Sequence, residues 1–175
     1  MKSLFPDIPQ LESRLLCLRP LRLSDADDLR KLTAQAEVYR WLPTFLFEKR
    51  YEAEEAIRRM YDECLEESLI YGVFREDVFC GLAEIYGCRP WIHKVSIGYR
   101  LRKEAWGQGI ASEALRLLLE ELLEHRQVEI ITGSTMVENH ASAHVLMKNG
   151  FTLVNHDVEE DWGYPAPTRT DKWVR

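Results

Sequence analysis

The stretch from Lys94 to Met136 constrains this chain more than any other. Lys94 to Leu101 reads as a strand, and a Gly-rich turn follows at Trp106-Gly107-Gln108-Gly109. A long helix is predicted from about Gln108 to Arg126, then a β-branched strand from Val128 to Met136. A helix of that length between two strands permits a right-handed crossover with the strands parallel. Leu115, Leu118, Leu119 and Leu122 share one helix face and are expected in the core.

The flanking segments predict antiparallel pairing. Strands are expected at Ser13–Pro20, Leu69–Arg75 and Val78–Tyr86. Glu76-Asp77 makes the tight connection between the last two, and Gly87 to Trp91 the next turn. Ser24-Asp25-Ala26-Asp27 reads as a helix cap, with the Ser24 hydroxyl accepting orphan amides. That helix runs to about Glu37, with Leu29, Leu32 and Ala36 on one side. Trp41-Leu42-Pro43 breaks the pattern, and an acidic helix follows from Tyr51 to Glu67. A short helix from about Ala141 to Asn149 should stop at Gly150 in a left-handed cap. Phe151–Asn155 and Thr170–Val174 are the last predicted strands, separated by an acidic loop from Asp157 to Pro167. The fold class is α/β: a mixed, mostly antiparallel sheet of about seven strands flanked by about four helices, in one domain spanning residues 1–175.

With 175 residues, 46% hydrophobic and 30% charged, the chain can bury a full core without disulfides or structural metal. Its net charge of −6 lacks the basic excess of a nucleic-acid binder and is compatible with cationic substrates. Cys17, Cys64, Cys80 and Cys88 form no CxxC pair or zinc spacing, so reduced thiols in a cytoplasmic protein are expected. The N-terminus carries no apolar signal segment, and no stretch is apolar enough to span a bilayer. His140 and His144 are four apart, but no third ligand accompanies them, and no metal site is expected.

Gly107, Gly109 and Ala111 leave backbone N–H groups uncovered at a helix N-terminus, where the dipole favours an anion. A phosphate-bearing cofactor suits such a turn, although it is neither a Walker A loop nor GxGxxG. The same glycines equally serve a tight strand–helix connection that needs positive φ. The turn alone does not separate these readings.

A second segment bears on the choice. It is Asn139-His140-Ala141-Ser142 continuing to Asn149-Gly150-Phe151. Together with Trp106-Gly107-Gln108-Gly109-Ile110-Ala111 it resembles the GNAT superfamily of acyl-CoA-dependent N-acyltransferases. The family's cofactor loop reads Arg/Gln-x-x-Gly-x-Gly/Ala. Its later element has an Asn, a small residue three on, and Gly-Phe at the helix end. Leu18-Arg19-Pro20-Leu21, Ser24-Asp25-Ala26 and Ile97-Gly98-Tyr99-Arg100-Leu101 extend the likeness over nearly the whole chain from about residue 13. Trp-Gly-x-Gly-x-Ala-x-Glu-Ala and Asn-x-x-Ser are similar to the RimJ/RimL subgroup, the ribosomal-protein N-terminal acetyltransferases and their relatives. Two departures stand out. Trp106 replaces the loop's first Arg or Gln, and Leu146 stands where many members carry a Tyr that protonates the leaving thiolate.

The resemblance implies the GNAT fold and direct acetyl transfer from acetyl-CoA to a primary amine, with no acyl-enzyme. Trp106 would open the cofactor loop, and amides of Gly107, Gln108, Gly109, Ile110 and Ala111 would hold the pyrophosphate. Leu101 would pair with pantetheine, and a backbone N–H there would polarise the thioester oxygen. Asn139 would bond the pantetheine, cap its own helix, or do both. Ser142 is the candidate donor to sulfur, or else a small packing residue.

Glu84 is the candidate general base, directly or through water. Alternation places Leu82, Glu84 and Tyr86 on one strand face and Ala83 and Ile85 on the other. A carboxylate there should line a wet cleft, or its pKa would rise; a solvent-facing or salt-bridged Glu is the alternative. Trp162 and Tyr164, with Asp157, Glu159, Glu160 and Asp161, form either a solvated loop or an acidic, aromatic rim. Such a rim would draw a cationic amine such as a protein N-terminus, a polyamine or an aminoglycoside. Two alternatives remain open: an acyl-CoA-binding module without turnover, and another donor such as succinyl-CoA met by Arg100 or Arg102. Homodimers are common in the subgroup.

Overall fold

Alternation in the central strands sets the architecture. In the computed structural model, which describes residues 7–62 and 68–175, β-structure begins with β1 (Leu11–Glu12) and β2 (Cys17–Arg19). The long hairpin β3 (Ser68–Arg75) and β4 (Val78–Arg89) follows after the first helices. Leu69, Tyr71, Val73, Ala83 and Ile85 join one core cluster, whereas Ile70, Phe74, Phe79 and Leu82 join a second. Period-two side chains thus feed two cores on opposite faces of one sheet. The remaining strands are β5 (Lys94–Leu101), β6 (Ile130–Met136), β7 (Thr152–Glu160) and β8 (Thr168–Val174). Their order is β1-β2-β3-β4-β5-β6-β8-β7, with only β5 and β6 parallel.

Helices α1 (Ala26–Thr33), α2 (Ala36–Tyr39) and α3 (Ala53–Asp62) precede β3. Leu29, Leu32, Ala56, Ile57 and Met60 fill the second core. Helix α4 (Ile110–Glu120) continues as a wider turn over Glu121–His125 and makes the parallel crossover. Its Leu115, Leu118, Leu119 and Leu122 are all buried, as their spacing implies. Helix α5 (His140–Lys148) lies on the same face and ends where Gly150 adopts φ +80°.

Several boundaries depart from the sequence reading, each for a local reason. Among the described residues the sheet has eight strands, because β1 precedes the first predicted strand, Ser13–Pro20, which shortens to β2: the Ser13 hydroxyl accepts from the Leu15 and Leu16 amides and turns the chain between them. Asp25, not Ser24, does the capping work, accepting the Arg22 amide at 2.7 Å and a two-pronged ion pair from Arg19. The first helix breaks at extended Gln35, whose side-chain oxygen accepts the Lys103 amide, so Ala36 is exposed and starts a new helix. Strand β4 runs on to Arg89, which moves the turn to Pro90–Ile92. The first four residues of the expected acidic loop, Asp157 to Glu160, belong to β7, held by Val158–Thr170 and Glu160–Thr168 pairing. The predicted helical residues 63–67, with Cys64, lie outside the described residues. Cys17, Cys80 and Cys88 are free thiols. Among the described residues, no helix is long and apolar enough to cross a membrane.

β5 and β6 pair only through Lys94–Ile130, Val95–Ile131 and Ser96–Thr132. Beyond these residues the strands separate, because β6 stays paired with β8 through Met136 while β5 stays paired with β4 through Leu101. The sheet therefore opens into a wedge.

Candidate active site

The wedge is the floor of a cleft of about 1820 Å³ that reaches both faces of the sheet. Glu84, Tyr86 and Arg100 line it from the α1/α3 side, and Ile97, Tyr99 and Leu101 from the α4/α5 side. The free edge of β5 faces the gap. The Arg102 amide donates to the Cys80 carbonyl on β4 at 2.8 Å, so alternation turns the Leu101 peptide groups the other way, into the wedge. Gly81 is what lets β4 lie so close here: a Cβ at that position would sit 2.2 Å from the Arg100 oxygen.

The glycine turn closes one end of the cleft. Gly107 and Gly109 have φ of +70° and +76°, a region that strains any residue with a Cβ. A Cβ at either would meet nothing within 4 Å, so the space above the turn is open. The first intrahelical bond of α4 runs from the Glu113 amide to the Gly109 oxygen, which leaves the preceding amides of Ile110, Ala111 and Ser112 as orphan donors. Open space, positive helix end and a free strand edge together fit a long ligand with a phosphate at one end. The Trp106 indole N–H donates to the Leu101 oxygen at 2.9 Å, so it ties this turn to the end of β5. The Gln108 side chain turns back to the Glu104 oxygen at 2.6 Å.

Helix α5 roofs the wedge. Asn139 is its N-cap, with Oδ1 accepting the Ser142 amide at 3.2 Å, and it also lines the cleft, as does Ser142. Ser142 Oγ lies 2.8 Å from Tyr99 Oη. Burial pushes the Tyr99 phenol up to about 12, against the pull of the Ser142 bond. Leu146 is 2% exposed and packs over Gly133 and Ile97, which explains why this position carries no polar group. His140 and His144 are exposed. Among the described residues, no three His, Cys, Asp or Glu side chains cluster as metal ligands.

Glu84 reaches the cleft as alternation predicts, but it is paired. It accepts Arg100 Nη1 at 2.7 Å and Ser68 Oγ at 2.7 Å. Arg100 also holds Glu48 through two bonds, 2.5 and 2.7 Å, and Tyr39 donates to Glu48 at 2.9 Å. Glu84 is thus both cleft-lining and salt-bridged. Arg100 stays charged despite its burial, because Glu48 and Glu84 flank it. Sequence reasoning did not single out Glu48 or Arg100 for this. The available signal was a cation inside an apolar strand, which requires a buried partner.

The rim is also more engaged than its sequence implies. Trp162 is buried, its oxygen accepts the Thr44 amide at 2.8 Å, and Tyr164 donates to the Leu42 oxygen at 2.8 Å. These bonds clasp the segment after α2 over the cleft. Asp157 and Glu159 pair with Arg169. Glu160, at the end of β7, lines the cleft and takes bonds from Lys172, Thr170 and Trp162. Burial pushes its carboxyl up, but these donors hold it below the usual carboxylate range.

Comparison with known proteins agrees with this geometry. Residues 15–152 match the family model described as "Acetyltransferase (GNAT) domain". The N-acetyltransferase YjcK of Bacillus subtilis, described as probable, is 28% identical over 149 residues, covering 81% of this chain and 82% of that protein. Among solved structures, RimL, a ribosomal alpha-N-protein acetyltransferase in complex with coenzyme A, superposes with a TM-score of 0.82. It is 20% identical and covers 95% of this chain and 97% of that one. A spermidine N-acetyltransferase from Vibrio cholerae, in complex with CoA and spermine, gives 0.77 at 19% identity, covering 93% and 96%. At such identities the superpositions establish the fold. With the family match covering more than half of the sequence, the chain belongs to the GNAT family of acetyltransferases, enzymes that transfer acetyl from acetyl-CoA to amines.

Proposed function

We propose that the wedge holds acetyl-CoA along the free edge of β5 and that a cationic primary amine enters from the α1/α3 side. The observation that carries this reading is the end of β5–β6 pairing at Ser96–Thr132, which leaves a strand edge open beside an anion-binding helix end. Acetyl-CoA supplies the acetyl group as a thioester, whose C–S bond breaks as the C–N bond forms. The amides of Gly107, Gln108, Gly109, Ile110 and Ala111 hold its pyrophosphate, with Trp106 fixing the turn. Leu101 contributes its wedge-facing N–H, aimed at the developing oxyanion. Asn139 caps α5 and offers its side-chain amide to the same ligand.

Glu84 and Glu160 give the amine an anionic surround, and Glu84 receives the proton that the amine must lose, directly or through water. Ser142 donates to the sulfur as its charge grows. Holding amine and thioester side by side in the wedge supplies a large part of the rate. Arg100 is engaged by Glu48 and Glu84, which argues against its use for a donor with a terminal carboxylate. The acceptors to try are peptides with a free N-terminus and polyamines, the classes named for RimL and for the Vibrio enzyme.

Isothermal titration with acetyl-CoA, then thiol release over an amine panel, tests the proposal. Micromolar binding with amine-dependent release supports it. Binding without release on any amine favours the module reading, and no binding refutes it. Glu84→Gln and Ser142→Ala should lower turnover at least tenfold with acetyl-CoA affinity retained.

A further inference from the structure

We infer that Tyr99 is a positioning residue whose phenol aims the Ser142 hydroxyl at the sulfur of the bound thioester. The inference rests on the reading above, in which Ser142 serves that sulfur, and it names the group behind Ser142.

Three observations carry it. Tyr99 stands on β5 beyond the last β5–β6 pair, so it lines the open part of the wedge. Its Oη is 2.8 Å from Ser142 Oγ, a bond that joins the sheet to α5 across 43 residues of sequence. Ser142 and Leu146 are one turn apart on the same face of α5. Leu146 seals the closed end against Gly133 and Ile97, which leaves Ser142 over the open end. Helix α5 thus brings an alcohol to the gap, and the sheet brings the phenol.

The direction of the bond follows from the donors available. Each hydroxyl has one hydrogen and two lone pairs. A phenol is far more acidic than an alcohol, so the better arrangement has Tyr99 donating and Ser142 accepting. The Ser142 hydrogen is then released to point into the cleft. Such a chain also strengthens its outer bond, because each donor polarises the next. The phenol keeps its hydrogen at neutral pH, as its upward shift requires. No proton leaves Tyr99 in this scheme. The C–N bond forms, the C–S pair passes to sulfur, and the Ser142–Tyr99 chain steadies the thiolate by hydrogen bonding.

Tyr99→Phe keeps the ring and removes only the hydroxyl. It should lower kcat about three- to tenfold, the range for one neutral hydrogen bond. The dissociation constant for acetyl-CoA should stay within about twofold, because no ligand contact is lost. Ser142→Ala should lower kcat about tenfold to a hundredfold, as for a bond to a charged atom. The double variant should be no slower than Ser142→Ala, since the phenol then has nothing to aim. Wild-type kcat in Tyr99→Phe, or a full further loss in the double variant, overturns the inference. A wild-type protein that turns over no amine would sink the reading above instead.

A second readout needs no acceptor. With 3-fluorotyrosine at position 99, the ¹⁹F resonance should differ between complexes with CoA and with CoA lacking its sulfur. That difference should vanish in Ser142→Ala. Identical resonances in the two complexes overturn the inference.

Discussion

Glu48→Gln is the sharpest probe of the buried ion network. The Glu48 side chain is 0% exposed and that of Arg100 is 2% exposed. The substitution keeps the shape of Glu48 and removes one of the two charges that balance Arg100. Arg100 keeps Glu84 as a counter-charge, so the loss is that of hydrogen bonds to a charged group, about 1.5–3 kcal/mol. For a chain of this size, each kcal/mol lowers Tm by about 2–4 °C, so a fall of roughly 3–12 °C is expected. The surface fork from Arg116 to Glu113 and Glu120 provides a control, since its arginine is half-exposed. Arg116→Gln should cost less than about 1 kcal/mol. Thermal unfolding followed by circular dichroism, with urea titration for ΔG, measures both. Adding Arg100→Met to Glu48→Gln should deepen the loss, because Glu84 then stays charged with no cation beside it. A cost for Glu48→Gln as small as that for Arg116→Gln would refute the reasoning and mean that water reaches the network.

Other changes test the cofactor end and the fold. Gly109→Ala places a Cβ at φ +76° and should cost about 1–2 kcal/mol, with acetyl-CoA affinity down severalfold by calorimetry. Trp106→Phe removes the indole bond to Leu101 and should raise the acetyl-CoA KM severalfold, with about 1 kcal/mol of stability lost. Burial raises the Asp25 carboxyl, but Arg19 and the Arg22 amide outweigh it and hold it below its ordinary value. Its contribution is therefore present above about pH 4 and disappears as pH falls through the lowered value. Urea midpoints across that range should fall less steeply in Asp25→Asn than in the wild type.

Much of the scaffold is legible from local pattern. The crossover around α4, the opposite faces of Leu82 and Ala83, and the stop at Gly150 all follow from periodicity and turn chemistry. Features set by distant partners are not legible. Glu48 and Arg100 are 52 residues apart, and nothing near either one signals the other. Glu160 read as part of a loop, because charged residues hide the strand that pairs it with Thr168. Tyr99 sits on β5, yet its neighbour Ser142 belongs to an element reached only after the crossover. The positive φ at Gly107 and Gly109 is legible in the sequence, since it is a local property of the turn.

The parting of β5 from β6 also governs how the molecule carries mechanical load. Five strands lie on one side of the gap and three on the other, and the strand pairing between them spans three residue pairs, with the Glu129 amide on the His93 oxygen just before them. Stress between the two halves passes through that short seam, through α4, through the side-chain bridge from β5 to α5, and through the clasp of Trp162 and Tyr164 on Thr44 and Leu42. An occupant that offers amide groups along the gap would act as a splint, lengthening the seam from within. The stiffness of the sheet then becomes a property of its cargo, and amide exchange in β6 and β8 should slow when the gap is filled.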